Sequence, residues 1–179
     1  MNEMTGVFLD GMLIENPVFM TFLGALAVAV LPQSSRGAGL TAVRIAVASF
    51  ISSLAGVALV TAVPEALEPL VYLAVGLLAA GSLLRFGELQ GEWLGLPKIL
   101  VVLPLFIGTP YVASLHQELA TAVAQSAGNS LGFVGAFVLI GAVRESVRIS
   151  EARSEFKTTP VVLFTMAIFS LALTGFLFW

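Results

Sequence analysis

The chain lacks cysteine and has little charge. Its 179 residues include no cysteine and one histidine, which excludes disulfides, thiolate zinc sites and cysteine-ligated iron–sulfur clusters built from this chain alone. Charged residues make up 11% of the sequence, against about 25% in a typical soluble domain. The eight lysines and arginines form no cluster suited to nucleic acid. The start, MNEMTGVFLD, has no basic segment, so we do not expect a signal peptide there.

Apolar residues dominate what is present. They make up 58% of the chain, and the mean hydropathy is +1.01. A helix needs roughly 20 apolar residues to cross a bilayer, and fewer if it is broken inside the protein. We therefore predict an all-α polytopic membrane protein, a single domain over residues 1–179 with six transmembrane helices. The predicted spans are about 7–31, 45–63, 70–86, 97–124, 131–147 and 161–179.

The basic residues alternate between the predicted loops. All eight lie between spans one and two, three and four, or five and six, and the intervening loops and both ends have none. Because positively charged loops stay in the cytoplasm, this pattern predicts that both termini are outside. The basic residues are Arg36, Arg44, Arg85, Lys98, Arg144, Arg148, Arg153 and Lys157.

Two stretches of the chain resemble each other. FLGALAVA begins at Phe22 and FIGTPYVA begins at Phe106, 84 residues later, and each follows a proline in the first span of a three-span half. Halves with three spans have opposite topology, so we predict a 3+3 inverted repeat over about 7–90 and 93–179, with a broken helix in each half. The predicted breaks lie at residues 15–17 and 108–110. The alternative is an ordinary helix kinked at proline.

The same segments resemble a known family, the small six-helix membrane subunits of the Rnf and Nqr ion-translocating redox complexes, in particular the RnfA/NqrE-like type. ENPVFMTFLG is similar to the family's entry to its first helix, and LPLFIGTPYV to its LPL-x-x-x-N-C segment. VRESVRI is similar to its basic helix end, and FKTTPVVLFTMAIFSLALTGF to its closing span. The resemblance covers nearly the whole chain. It rests on the order and spacing of these segments rather than on any single motif.

The resemblance implies a function and partners. It implies an integral subunit, in the prokaryotic cytoplasmic (inner) membrane, of an electron-transfer complex that moves Na⁺ or H⁺. It further implies a homologous membrane subunit of inverted topology, with which the chain forms a pseudo-symmetric core. Other subunits would carry the flavins and iron–sulfur clusters. The chain would then be a non-catalytic part of a translocase.

One departure concerns the cofactor. Family members carry a cysteine in each broken helix, and two such subunits hold one [2Fe–2S] cluster between them. Leu26 and Pro110 stand at these positions, and neither side chain can bind iron. We therefore expect no cofactor and no metal ligand from this chain. Gly24, Gly108, Thr109 and Pro110 would remain at the broken-helix centre.

Polar residues at the first predicted break suggest an ion path. Asp10, Glu15 and Asn16 supply carboxylate and amide oxygens that hard cations prefer, and ionisable groups within membrane segments indicate function. The alternative is that the carboxylates cap a half-helix at the outer interface. Likewise, His116 and Glu118 form either a proton relay or a wetted loop edge.

Other features have structural interpretations. The end of span five carries Arg144, Glu145, Arg148 and Glu151 at helical spacing, which indicates either surface ion pairs or a docking face for a soluble redox subunit. The glycines of GNSLG at 128–132, together with Gly135, permit close helix contact. Trp93 and Trp179 suit interfacial anchors.

Two functions therefore remain open from the sequence. The first is the redox-complex subunit just described. The second is a cofactor-free transporter or membrane scaffold subunit with the same fold. No nucleophile–base constellation suggests a free-standing enzyme.

Overall fold

A computed structural model describes residues 3–31, 35–85, 89, 92–93, 96–116, 118–149 and 159–176. These residues are helical apart from turns and one antiparallel pair of two-residue strands. The elements are α1 Glu3–Leu9, a π-helix Asp10–Ile14, α2 Ala25–Val30, α3 Ser35–Val60, a 3₁₀-helix Glu65–Leu67, α4 Glu68–Leu84, β1 Glu92–Trp93, β2 Leu96–Pro97, α5 Ile99–Ser114, α6 Leu119–Ile149 and α7 Thr159–Phe176.

Within the described part of the chain, three helices are long and apolar enough to cross a membrane. They are Gly39–Val60, Glu65–Leu84 and Leu119–Val147. Two shorter apolar helices, Ile99–Ser114 and Pro160–Gly175, accompany them. Large apolar side chains point away from the protein, as Phe164 does with 68% of its surface exposed, which suits contact with lipid rather than water. The all-α class is confirmed, and the length and composition of these helices suit a membrane protein.

α3 and α5 run in the same direction. α3 connects to α4 through the short segment 61–67 and packs along it, with Ala48 and Ser82 lining one shared groove, so these two helices are antiparallel. Because α4 is also antiparallel to α5, as the next contacts show, α3 and α5 share one direction. Between them, the Ser49 and Thr109 hydroxyls are 3.1 Å apart and Gly56 lies against the Pro110 ring.

α4 runs opposite to α5. The Tyr72 hydroxyl lies 2.7 Å from the Ser114 hydroxyl, at the end of α5. One turn later in α4, Gly76 contacts Ile107, which precedes Ser114 by two turns. Residues later in α4 therefore contact residues earlier in α5, as in an antiparallel pair.

α6 runs opposite to α3. The Ser53 and Ser126 hydroxyls are 2.7 Å apart, in the second half of α3 and the first half of α6. A groove nearer the start of α3 is lined by Val43 and, further along α6, Val134. It follows that α3 and α5 begin at the side of the protein where α4 and α6 end.

The two sides differ in charge. Arg85 at the end of α4, Lys98 before α5 and Arg144 near the end of α6 share one side. Glu65 before α4 and Glu118 before α6 lie on the other. The described residues thus follow the charge alternation seen in the sequence.

Two helix boundaries predicted from the sequence were wrong. The predicted fourth span ends at Ser114 rather than continuing to residue 124. The predicted loop at 116–130 is largely helical, because α6 begins at Leu119 instead of 131. The polar side chains that suggested a loop are buried on one face of α6. The sequence also gave no sign of the strand pair β1–β2.

Several predictions concern residues outside the described part of the chain. The residues concerned are Glu151, Arg153, Lys157 and Trp179. The side chains of Arg36, Trp93 and Arg148 also lie outside the described part.

Candidate functional site

The first apolar segment is broken where the sequence predicted it. α1 passes directly into the π-helix, which ends at Ile14, and helix resumes only at Ala25. In the π-helix the Glu15 amide donates to the Asp10 carbonyl at 2.6 Å, five residues back. Such π segments recur at functional sites. Between the two helical pieces, Glu15-Asn16-Pro17 opens a turn.

Asn16 holds this turn together. Its side chain is buried, and its Oδ1 accepts hydrogen bonds from the Val18 amide at 2.9 Å and the Phe19 amide at 3.2 Å. Its Nδ2 donates to the Met12 carbonyl at 2.9 Å. These bonds satisfy backbone groups that the break would leave unpaired inside an apolar environment. Asn16 is therefore a cap, and two amides already occupy its oxygen.

The broken segment packs closely on α6 through glycines. A Cβ atom at Gly128 would lie 2.2 Å from the Phe8 carbonyl oxygen, and one at Gly132 would lie 2.6 Å from the Met12 carbonyl oxygen. Only glycine allows the two backbones to approach this closely. The close contact predicted from GNSLG is confirmed, and Gly11 makes a matching contact from the other side. The same prediction was wrong for Gly135, where a Cβ would meet nothing within 4 Å.

Glu15 meets a buried amide of α6 at this contact. Gln125 Nε2 donates to Glu15 Oε2 at 2.5 Å and lies 3.5 Å from Asn129 Oδ1, which is long for a hydrogen bond. Gln125 is 1% exposed and Asn129 is also buried, whereas Glu15 is largely exposed. A Cβ at Gly11 would lie 3.1 Å from both Asn129 Oδ1 and Gln125 Cδ. Asp10 is exposed and contributes its backbone carbonyl to the π-helix.

A second polar cluster lies where α3, α5 and α6 meet. Thr109 Oγ1 donates to the Leu105 carbonyl at 2.9 Å and lies beside the Ser49 hydroxyl. Ser53 Oγ lies 3.3 Å from the Thr109 carbonyl and 2.7 Å from Ser126 Oγ. All four hydroxyl-bearing residues are buried. Because Ser126 follows Gln125, the two polar clusters adjoin each other along α6.

The predicted break at Gly108-Thr109-Pro110 is wrong. α5 is continuous from Ile99 to Ser114 and contains both Pro104 and Pro110. Pro110 removes the hydrogen bond that the Phe106 carbonyl would accept within the helix, and the Ser52 hydroxyl donates to this carbonyl at 3.1 Å. A continuous helix agrees with the alternative interpretation of this segment, an ordinary helix that contains proline.

The segments that carry the two glycines of the repeat contact each other through Leu23. A Cβ at Gly108 would lie 2.4 Å from Leu23 Cδ1, so the residue preceding Gly24 covers Gly108. Gly24 itself is buried against the Phe133 ring, 2.9 Å from the position of a Cβ. The sequence repeat thus marks two segments in direct contact.

Leu26 and Pro110 have different surroundings. Leu26 is 46% exposed, whereas Pro110 is buried against Gly56. Further along, the Arg144 guanidinium donates a hydrogen bond to the Ala29 carbonyl, near the end of α2. The short helix α2 is thus fixed to α6 at both ends.

The polar residues of α6 were not predicted as part of the site, because the sequence suggested a loop over residues 116–130. Their spacing, at positions i, i+4, i+5 and i+8, is that of one helical face and could have located them. They are Thr121, Gln125, Ser126 and Asn129.

Comparison with known proteins does not assign the chain to a family. The chain matches no protein-family model, and no curated protein is significantly similar to it.

Proposed function

We propose that the chain is an integral membrane subunit of an Rnf/Nqr-like electron-transfer complex coupled to Na⁺ or H⁺ movement. The observation that carries the proposal is the contact of Leu23 with Gly108. It joins the two segments that match each other in sequence and that resemble the family's two broken-helix segments. In folds with inverted repeats, equivalent segments of the two halves meet near the membrane midplane, although in this chain only the first segment is broken.

The proposed topology has six spans and both termini outside. The broken segment α1–α2 would be the first span, followed by α3, α4, α5, α6 and α7. The directions of α3 to α6 support this, since successive helices alternate and the described basic residues gather on one side. That side would face the cytoplasm.

The chain would supply packing and an ion path rather than a redox centre. A [2Fe–2S] cluster takes four ligands, usually thiolates, and Leu26 and Pro110 offer none. A partner's two cysteines would therefore leave two positions unfilled. Electron paramagnetic resonance of the reduced complex tests this point. A [2Fe–2S] signal that disappears when residues 26 and 110 are substituted, with assembly intact, would contradict it.

The partner we expect is a homologous membrane subunit of inverted topology. The exposed apolar faces of the chain fit either this partner or lipid, and Leu26 lies on such a face. Purification from native membranes in mild detergent, with identification of all co-purifying subunits, tests the proposal. We expect that homologue together with flavin- and iron–sulfur-bearing subunits.

The second candidate is a cofactor-free transporter or scaffold with the same fold. The continuous run of buried polar side chains along α6 favours it, because such residues line transport paths in membrane proteins. A chain that purifies alone or with colourless partners, and still moves an ion, would favour this candidate over the first.

A further inference from the structure

The exposed end of the turn in the first apolar segment has backbone groups without partners. Asn16 caps the start of this turn, whereas Thr21 and Phe22, which lead into α2, are both exposed. Among the described residues, the Phe22 and Leu23 amides donate no hydrogen bond and the Thr21 carbonyl accepts none. At the surface of a soluble protein, water would satisfy such groups.

In the proposed topology this turn lies near the middle of the membrane. Gly24, two residues after Phe22, packs on the Phe133 ring of α6. Phe133 precedes Arg144, which marks the cytoplasmic boundary, by 11 residues, and this corresponds to about 16 Å of helix. The hydrocarbon core is about 30 Å thick. The unpaired groups therefore lie at nearly the greatest distance from water that a bilayer allows.

Lipid cannot satisfy these backbone groups. Acyl chains neither donate nor accept hydrogen bonds, and non-helical backbone at membrane depth occurs only where protein covers it or where it lines a water-filled cavity. The side chains beside the turn favour protein over water, because they are large and apolar. Phe22 is 54% exposed, and Leu26, one turn further along α2, is 46% exposed. Apolar and aromatic side chains around a few polar groups are typical of the core of a protein interface.

The conformation of Phe22 supports the same conclusion. Its φ of 57° lies in the left-handed region, and strained residues of this kind concentrate at functional and binding sites. Among the described residues, no other aromatic ring packs on Phe22. The strained backbone thus presents the ring outside the chain instead of packing it inside.

We infer that the turn at Thr21 and Phe22 is the docking site for a transmembrane helix of the partner subunit, and that this helix carries a hydroxyl or amide side chain at the same depth. A helix satisfies its own backbone groups, so the groups that pair with the turn must come from its side chains. Serine, threonine, asparagine and glutamine can each donate to the Thr21 carbonyl or accept from the Phe22 amide, and they bond between helices in membranes. The unpaired groups of the turn are uncharged, and a charged partner would be costly at this depth. The inference rests on the proposed function for the membrane depth and for the existence of a partner subunit.

Photo-cross-linking of the full chain in its native membranes provides the test. Replacing Phe22 by p-benzoyl-phenylalanine keeps an aromatic ring and adds a group that bonds to neighbouring C–H groups on irradiation. We expect one discrete protein adduct, and mass spectrometry should map the cross-link to a transmembrane helix with a hydroxyl or amide side chain within one turn. The same probe at Leu78, which is 75% exposed on α4, is the control and should give no adduct with that subunit. Leu26 is a second site for the probe if the variant at Phe22 does not fold, and the same adduct is expected there.

Several outcomes would overturn the inference. They are adducts with lipid alone, a cross-link within the chain itself, and an adduct between two differently tagged copies of the chain. A partner helix with only apolar side chains at the cross-link would likewise contradict the assigned chemistry. The result is separable from the proposed function. The expected adduct in an assembly free of flavin and iron would support the docking site and contradict the redox function, whereas lipid adducts in an assembly that contains both would do the reverse.

Discussion

The Ser52 hydroxyl donates a hydrogen bond, 3.1 Å long, to the Phe106 carbonyl that Pro110 leaves without its helical partner. Both Ser52 and Phe106 are buried. A carbonyl left unpaired in such a place destabilises a protein by about 1–3 kcal/mol. A side chain of α3 therefore satisfies the carbonyl that Pro110 leaves unpaired, which allows α5 to continue through the proline.

Ser52→Ala should lower the free energy of unfolding by about 1–3 kcal/mol. In a Pro110→Ala background the restored amide can bond to the Phe106 carbonyl, so the same substitution should have less effect. Chemical unfolding in detergent micelles measures both. Ser82→Ala is the control, because that exposed hydroxyl bonds to its own helix. Equal effects of Ser52→Ala in both backgrounds would show that the hydroxyl does not substitute for the missing amide.

The contact of Leu23 with Gly108 predicts a size limit at this position. A methyl group at Gly108 would lie 2.4 Å from Leu23 Cδ1, the end of a flexible side chain that can partly move aside, so we expect the lower end of the range of about 1–3 kcal/mol that overpacking costs. We expect Gly108→Ala to lower stability, with partial recovery when Leu23→Ala is added. Gly81→Ala has open space in α4 and should be neutral or slightly stabilising.

The larger substitutions address assembly. Gly108→Leu, and Gly24→Leu, which meets the Phe133 ring, should both prevent complex formation. Native gel electrophoresis after mild solubilisation reports this. Normal assembly of both variants would contradict the placement of these glycines at the centre of the complex.

Phe22 has a backbone conformation that residues other than glycine rarely adopt. Its φ of 57° lies in the left-handed region, while its side chain is 54% exposed. That region costs about 1–2 kcal/mol per residue with a Cβ and almost nothing for glycine. Phe22→Gly should therefore unfold at a higher denaturant concentration than Phe22→Ala, which loses the same ring. The reverse order would show that the turn is unstrained.

Topology can be tested with two single cysteines, since the natural chain has none. Glu65 and Arg85 are exposed and lie at opposite ends of α4. In the proposed orientation, Glu65→Cys reacts with a membrane-impermeant maleimide added to whole cells. Arg85→Cys should react only after the membrane is opened. Reaction of both cysteines from the same side would rule out α4 as a membrane span.

The sequence predicted the features that rest on local chemistry. Pro17 beside two polar residues predicted the first break, and Pro64 predicted the end of α3, which stops at Val60. Apolar runs predicted where helices exist. The glycines at 128–132 could be predicted as contact residues because glycine permits close backbone contact whichever helix lies opposite.

What the sequence could not supply depends on neighbouring helices. Pro110 looks like a helix breaker until Ser52, about 60 residues earlier in the chain, satisfies the freed carbonyl. The polar start of α6 looks like a loop until Glu15 and Ser53 are found to bond with it. Polar residues in a membrane protein are ambiguous in sequence, because water or a distant side chain can equally satisfy them.

The reduced-minus-oxidised absorption spectrum of the affinity-purified assembly tests the central proposal most directly. Dithionite reduces flavins and iron–sulfur clusters alike, and both bleach in the visible range. If the chain is a subunit of an Rnf/Nqr-like complex, the assembly purified through it should bleach in proportion to the amount of chain, with flavin and iron found by chemical analysis. An intact, colourless assembly free of flavin and iron would contradict the proposal.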